Sequence, residues 1–114
     1  MPEASLPVHP VPETSQSFDD LGLLPELLTA VAELGFVHPT PIQAAVIPIA
    51  LSGRDVVGLA ETGSGKTAAF ALPMVQRIEP HRGVRGLVLS PTREITLQTK
   101  AFLDYFGANR HLRA

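Results

Sequence analysis

Ala60-Glu61-Thr62-Gly63-Ser64-Gly65-Lys66-Thr67 is the stretch whose surroundings decide the fold. Before it stands Val56-Val57-Gly58-Leu59-Ala60, a short, continuously apolar run rich in β-branched residues. Such a run reads as a strand covered on both faces, as in a parallel sheet. After it, a helical pattern runs from about Lys66 to Ile78, with Pro73 inside it. Glycines between a strand and a helix let backbone N–H groups converge without Cβ clashes, and the helix start adds its positive dipole. Phosphate needs many donors in a small space, and this turn supplies them. Lys66 can reach the β- and γ-phosphates of a nucleotide and is the candidate catalytic residue, while Thr67 offers a hydroxyl to Mg²⁺. The pattern G-x-x-x-x-G-K-[ST] is met except at its first position, where Ala60 stands. An ordinary glycine turn capped by a lysine is the plainer alternative, and the strand before and helix after weigh against it.

Working outward, the polar link Glu79–Arg85 leads to Gly86-Leu87-Val88-Leu89-Ser90, a second buried-type strand. A helix from about Glu94 to Phe106 follows, with Ile95, Phe102 and Phe106 on one face and Gly107 ending it. Strand, helix, strand, helix in this order is a βαβ unit plus a helix, an α/β fold with a right-handed crossover. Val56–Ala60 and Leu87–Leu89 would nevertheless lack their other neighbours and leave apolar surface or open edges exposed. Upstream, Leu24, Leu27, Leu28 and Val31 fall at helical spacing, and Gly35 suits the left-handed position that ends a helix. A second helix opens with Thr40 as N-cap and Pro41 in its first turn; Ile42, Val46 and Ile49 form its expected buried face, and Gly53 closes it. Pro48 inside it predicts a bend or break. Residues 1–17 hold four prolines and no apolar period, so they read as a disordered tail, with an ordered domain over residues 18–114.

Composition narrows the function classes. The 114 residues are 45% hydrophobic and 18% charged, as a packed core requires. With no cysteine there is no disulfide framework and no thiolate metal site, and His9, His38, His81 and His111 lack ligand spacing. No basic residue precedes Arg54 and no long apolar run exists, which argues against a signal peptide and a membrane span and leads to a cytoplasmic expectation. Residues 1–65 carry eight acidic and one basic side chain, whereas residues 66–114 carry three acidic and eight basic. The basic half suits an anionic partner, and a solvated polar face would explain it equally well.

Gly35-Phe36-Val37-His38-Pro39-Thr40-Pro41-Ile42-Gln43 lies 17 residues before the phosphate loop, and Phe18 lies 17 before Gly35. Gln43 has two readings. Thr40-x-x-Gln43 is a capping box, in which the glutamine bonds back to the N-cap N–H. Its carboxamide also carries a donor and an acceptor side by side, which complements adenine N6 and N7. Phe18 likewise reads as a staple on the first helix or as a ring to stack on a base. Ser90-Pro91-Thr92-Arg93 sits at a strand end and helix start, a place to hold a phosphate, or merely a capped helix with an exposed arginine.

The segment 35–43 with Phe18 closely resembles the Q motif of DEAD-box RNA helicases. Ala60–Thr67 is similar to that family's own variant of the phosphate loop, and Pro91-Thr92-Arg93-Glu94-Ile95 resembles its motif Ia, with Ile95 in place of leucine. The resemblance spans about residues 18–106 and implies a partial RecA-like parallel sheet with flanking helices. It implies ATP and Mg²⁺ as cofactors, held by Phe18, Thr40, Gln43 and residues Ala60, Glu61, Thr62, Gly63, Ser64, Gly65, Lys66 and Thr67. It also implies an RNA backbone held by Pro91, Thr92 and Arg93. The family's Asp-Glu-Ala-Asp stretch does not occur in these residues. Hydrolysis needs such an aspartate on Mg²⁺ and a group that orients water, so little ATP turnover is expected of this chain without the remainder of the helicase core. The alternative is a non-catalytic nucleotide- or RNA-binding module or regulator. A nucleotide kinase is disfavoured by Gln43 with Phe18 and by Pro91–Glu94.

Overall fold

The computed structural model describes residues 15–61, 63–80 and 83–114. A 3-10 helix, Phe18–Leu21, is followed by α1 (Pro25–Glu33), α2 (Pro41–Leu51), α3 (Lys66–Arg77) and α4 (Arg93–Gly107), and a 3-10 turn at Ala108–Arg110. The sequence tail ends earlier than expected. Ser17 forms a capping box with Asp20, and the carbonyl of Gln16 lies 3.0 Å from His38 Nδ1; residues 1–14 lie outside the described ones.

The helix ends follow the local chemistry. Pro25 and Pro41 open α1 and α2 in first turns, where a missing N–H costs nothing. Gly35 takes φ 82° and Gly53 φ 90°, the left-handed values that let the chain leave α1 and α2. Gly107 differs: it stays right-handed, and a Cβ there would stand 2.9 Å from the carbonyl oxygen of Leu112. It is glycine because the returning chain passes too close for a side chain.

The core lies where α1, α2, α3, α4 and the first 3-10 helix converge, with α3 packed between α2 and α4. Leu27, Val31, Ile47, Leu72, Phe102 and Phe106 are fully enclosed. Burying each such side chain stabilises the fold by about 1.5–3 kcal/mol. Two expected faces shift. On α2, Gln43 and Ile47 point inward while Ile49 is exposed and Ile42 and Val46 are half-covered; on α4, Thr99 joins Phe102 and Phe106 while Ile95 is exposed. Pro48 does not break α2, which runs unbroken to Leu51 with the ring on the solvent side. A proline three residues from a helix end removes one hydrogen bond, and the packed inner face holds the rest.

The expected strands are the main correction. Residues 56–60 and 86–90 take no regular secondary structure, and no strand ladder forms among the described residues. A strand exists through its neighbours' hydrogen bonds, and these segments do not pair with each other. Each lies on a helix instead. A Cβ on Gly58 would sit 3.1 Å from Ile42 Cδ1, and one on Gly86 would sit 3.0 Å from Ile78 Cδ1, so both glycines mark close approach of backbone to helix. Their outer side chains face open space, with Val57 and Leu59 each 91% exposed. A cleft of about 1020 Å³ is lined by both segments and by α2, α3 and α4.

Candidate nucleotide-binding site

The phosphate loop is built by two left-handed glycines, Gly63 at φ 82° and Gly65 at φ 87°, with Gly65 as the N-cap of α3. Ser64 N–H donates to the Glu61 carbonyl at 3.1 Å, closing the turn, and Ala69 N–H donates to the Gly65 carbonyl at 3.2 Å, starting the helix. The Ser64 hydroxyl is buried without a hydrogen-bond partner among the described residues. An anion seated in this glycine turn would give that hydroxyl a partner. Lys66 is exposed and forms no ion pair among the described residues. It stands with Gly63 and half-buried Thr67 on the wall of the large cleft. Ala60 and Glu61 complete the loop's entry, while Thr62 lies outside the described residues.

The first turn of α2 abuts this loop. Thr40 Oγ1 accepts from Gln43 N–H at 3.4 Å, and Thr40 N–H donates to Gln43 Oε1 at 2.9 Å, so the capping box is formed. The same carboxamide donates from Nε2 to the carbonyl of Gly65 at 3.2 Å. Capping and contact with the phosphate loop therefore coexist in one buried side chain. One Nε2 hydrogen and one Oε1 lone pair remain for a further partner.

Of the two roles open to Phe18, packing is the one filled: the ring is 4% exposed and stacked on Phe36 at 6.5 Å between centroids. It offers no open platform to a base. Thr92 caps α4 by accepting from Ile95 N–H at 3.2 Å, and Arg93 opens that helix exposed. Pro91 lines the same cleft as Gly63, Lys66 and Thr67, so the two loops share one rim.

Sequence reading passed over Gln76. Its signal was present: it follows Leu72 by four positions on α3 and is a lone polar residue on a face of buried alanines, Leu72 and Val75. Its amide bonds the backbone of Gly22 and Leu24.

The family model for DEAD/DEAH box helicases matches residues 40–114. The chain belongs to the DEAD/DEAH box helicase family. Among its DEAD-box relatives, the ATP-dependent rRNA helicase RRP3 of Debaryomyces hansenii is 51% identical over 100 residues, covering 87% of this chain and 21% of the relative. The ATP-dependent RNA helicase DBP10 of Phaeosphaeria nodorum is 50% identical over 99 residues, covering 84% of this chain and 11% of the relative. The chain thus spans about a fifth or less of the curated relatives it matches. Three solved DEAD-box proteins share its fold. They are one from Methanococcus jannaschii (TM-score 0.80, 37% identity, 84% of this chain and 27% of that one), Prp28 of Chaetomium thermophilum bound to ADP (0.79, 39%, 91% and 27%), and Dbp5 of S. cerevisiae bound to RNA and ADP BeF3 (0.77, 35%, 85% and 26%). Among the described residues no His, Asp or Glu cluster could hold a metal, and no helix is long and apolar enough to cross a membrane.

Proposed function

We propose that this chain supplies the first nucleotide-binding elements of an ATP-dependent RNA helicase. In this reading the Gly63–Gly65 amides surround the ATP phosphates, Lys66 neutralises the β- and γ-phosphates, and Thr67 offers its hydroxyl to Mg²⁺. Gln43 presents its remaining donor and acceptor to the adenine edge, with Thr40 holding it in register. Phe18, packed under Phe36, forms the floor of the base end rather than a stacking platform. Pro91, Thr92 and Arg93 hold RNA phosphates, which position a strand without reading its sequence.

One observation carries the reading: Gln43 touches the carbonyl of Gly65, the residue preceding Lys66. A base-reading group and a phosphate cradle are useful together only if one ligand can span them. Mg²⁺, when bound, would screen phosphate charge, while the loop's own residues bind and orient. Bound Mg²⁺ also needs an aspartate for hydrolysis, and the 114 residues contain no Asp-Glu-Ala-Asp stretch. Turnover by these residues alone is therefore expected to be negligible. Titration of the chain with ATP and with inorganic tripolyphosphate tests the binding claim. ATP is expected to bind more tightly, and Gln43→Ala is expected to remove that preference while leaving tripolyphosphate binding in place. RNA-stimulated phosphate release from the purified chain would overturn the hydrolysis claim.

A further inference from the structure

The 3-10 helix Phe18–Leu21 reaches α1 through Gly22, Leu23 and Leu24, with Gly22 left-handed at φ 92°. Gln76, in the last turn of α3, meets both of that turn's outward backbone groups. Its Oε1 accepts from Leu24 N–H at 2.8 Å, and its Nε2 donates to the Gly22 carbonyl at 2.9 Å. A carboxamide holds its donor and acceptor in one plane, so this double contact fixes orientation as well as distance.

We infer that Gln76 is a positioning residue for the base end of the nucleotide site, an inference that rests on the adenine reading given above. The two ends of α3 carry the two halves of the argument. Lys66 and Thr67 open the helix beside the phosphate loop, and Gln76 stands ten residues later, about 15 Å along a rigid rod. Through Gly22 and Leu24 that rod holds the 3-10 helix, and Phe18 of that helix lies against Phe36, close in sequence to the Thr40–Gln43 turn. The 3-10 helix is otherwise held by its buried Phe18 and Leu21 and, just before it, by the Gln16 carbonyl 3.0 Å from His38 Nδ1. Apolar contact is non-directional and does not set an angle. Releasing the amide removes the directional hold on the Gly22–Leu24 end of the 3-10 helix, which then rests on apolar packing there. The floor under the adenine then shifts, while the phosphate loop at the far end of α3 stays in place.

Gln76→Met keeps the side chain's length and bulk and removes both hydrogen bonds. The full chain is titrated with ATP and with inorganic tripolyphosphate, each with Mg²⁺. Gln76→Met is expected to weaken ATP about tenfold, the equivalent of two ordinary hydrogen bonds, and to leave tripolyphosphate within about twofold. Should the variant fail to melt cooperatively, Gln76→Glu serves instead: it keeps the acceptor for Leu24 N–H and loses the donor, with about threefold expected for ATP alone. Equal weakening of both ligands, or unchanged ATP binding, overturns the inference by showing a merely structural contact. If Gln43→Ala separates the two ligands and neither Gln76 variant does, this inference alone fails. If the unaltered chain binds both ligands equally, the adenine reading fails and takes this inference with it.

Discussion

Gln43 Nε2 lies 3.2 Å from the carbonyl oxygen of Gly65, so the first turns of α2 and α3 meet through a single carboxamide. The contact explains why residue 65 carries no side chain. Its φ of 87° already disfavours any Cβ, and a Cβ there would stand 2.5 Å from Gln43 Nε2 and 3.1 Å from Thr40 Oγ1. Two independent constraints fall on one position.

Gly65→Ala is therefore expected to destabilise the chain by about 2 kcal/mol or more, combining left-handed strain of about 1–2 kcal/mol with displacement of a buried amide. Placing Gly65→Ala in a Gln43→Ala background relieves the closest clash, that with Nε2, and leaves the approach to Thr40 Oγ1 and the backbone strain. Thermal melting of the two single variants and the double variant measures this. A double variant whose loss equals the sum of the singles would show that Gln43 and residue 65 are not in contact.

Lys66→Ala should separate binding from stability. The side chain is exposed and has no ion pair among the described residues, so the melting midpoint is expected to change little, within about 0.5 kcal/mol. Charge-assisted contacts to phosphate are worth about 1.5–3 kcal/mol each, so ATP affinity is expected to fall at least about tenfold. Equal ATP binding by the variant would mean that the loop does not hold phosphate through this residue.

The helices and their ends were legible because their causes are local. Pro25, Thr40, Pro41, Gly35 and Gly53 each state a start or stop in their own chemistry, and the structure places helix boundaries beside all five. The glycine turn that opens α3 was legible for the same reason. Residues 56–60 and 86–90 were legible in part: the apolar runs read as strands short of neighbours, and among the described residues they are exposed and form no ladder. The inward face of α2 was misjudged at Ile49 because a polar residue, Gln43, takes an inside position that hydrophobic spacing assigns to an apolar one. Phe18 could not be settled from spacing, since packing and stacking ask for the same ring.

Arg93 is the clean probe of the second loop. It is exposed at the start of α4, so Arg93→Ala should leave the fold intact. If it holds one RNA phosphate, the slope of log K against log salt for single-stranded RNA should lose about 0.7 in magnitude. Thr92→Ala acts differently, since it also removes the N-cap of α4 and costs about 1 kcal/mol of stability. An unchanged salt slope in Arg93→Ala would remove this residue from the RNA contact.

Tyr105 predicts an alkaline signature. Its hydroxyl lies 3.0 Å from Glu33 Oε1 and 3.2 Å from the Ala30 carbonyl, tying α4 to α1. Burial, and then the hydrogen bond to the Glu33 carboxylate, push its pKa above the ordinary 10.0. The protonated phenol is thus favoured in the folded state. Its stabilisation is complete below the ordinary value and is lost as pH rises through the raised one. Tyr105→Phe should cost about 1 kcal/mol near neutral pH and flatten this alkaline limb of the stability curve. A variant with the same alkaline limb as the parent would place the titration elsewhere.

Residues 56–60 and 86–90 set a final expectation about solution behaviour. Val57, Leu59, Leu87 and Leu89 are all more than three-quarters exposed on backbone that forms no strand ladder, which is the combination that invites edge-to-edge association. Val57→Thr with Leu59→Thr keeps β-branched or extended preference and removes the apolar edge. Because these side chains project into open space, the double variant should melt at the parent's midpoint while light scattering shows less concentration-dependent association. A loss of about 1.5–3 kcal/mol per site, the value for removing a buried aliphatic side chain, would instead show that the segment is covered in solution. That result would restore the paired strand expected from its sequence.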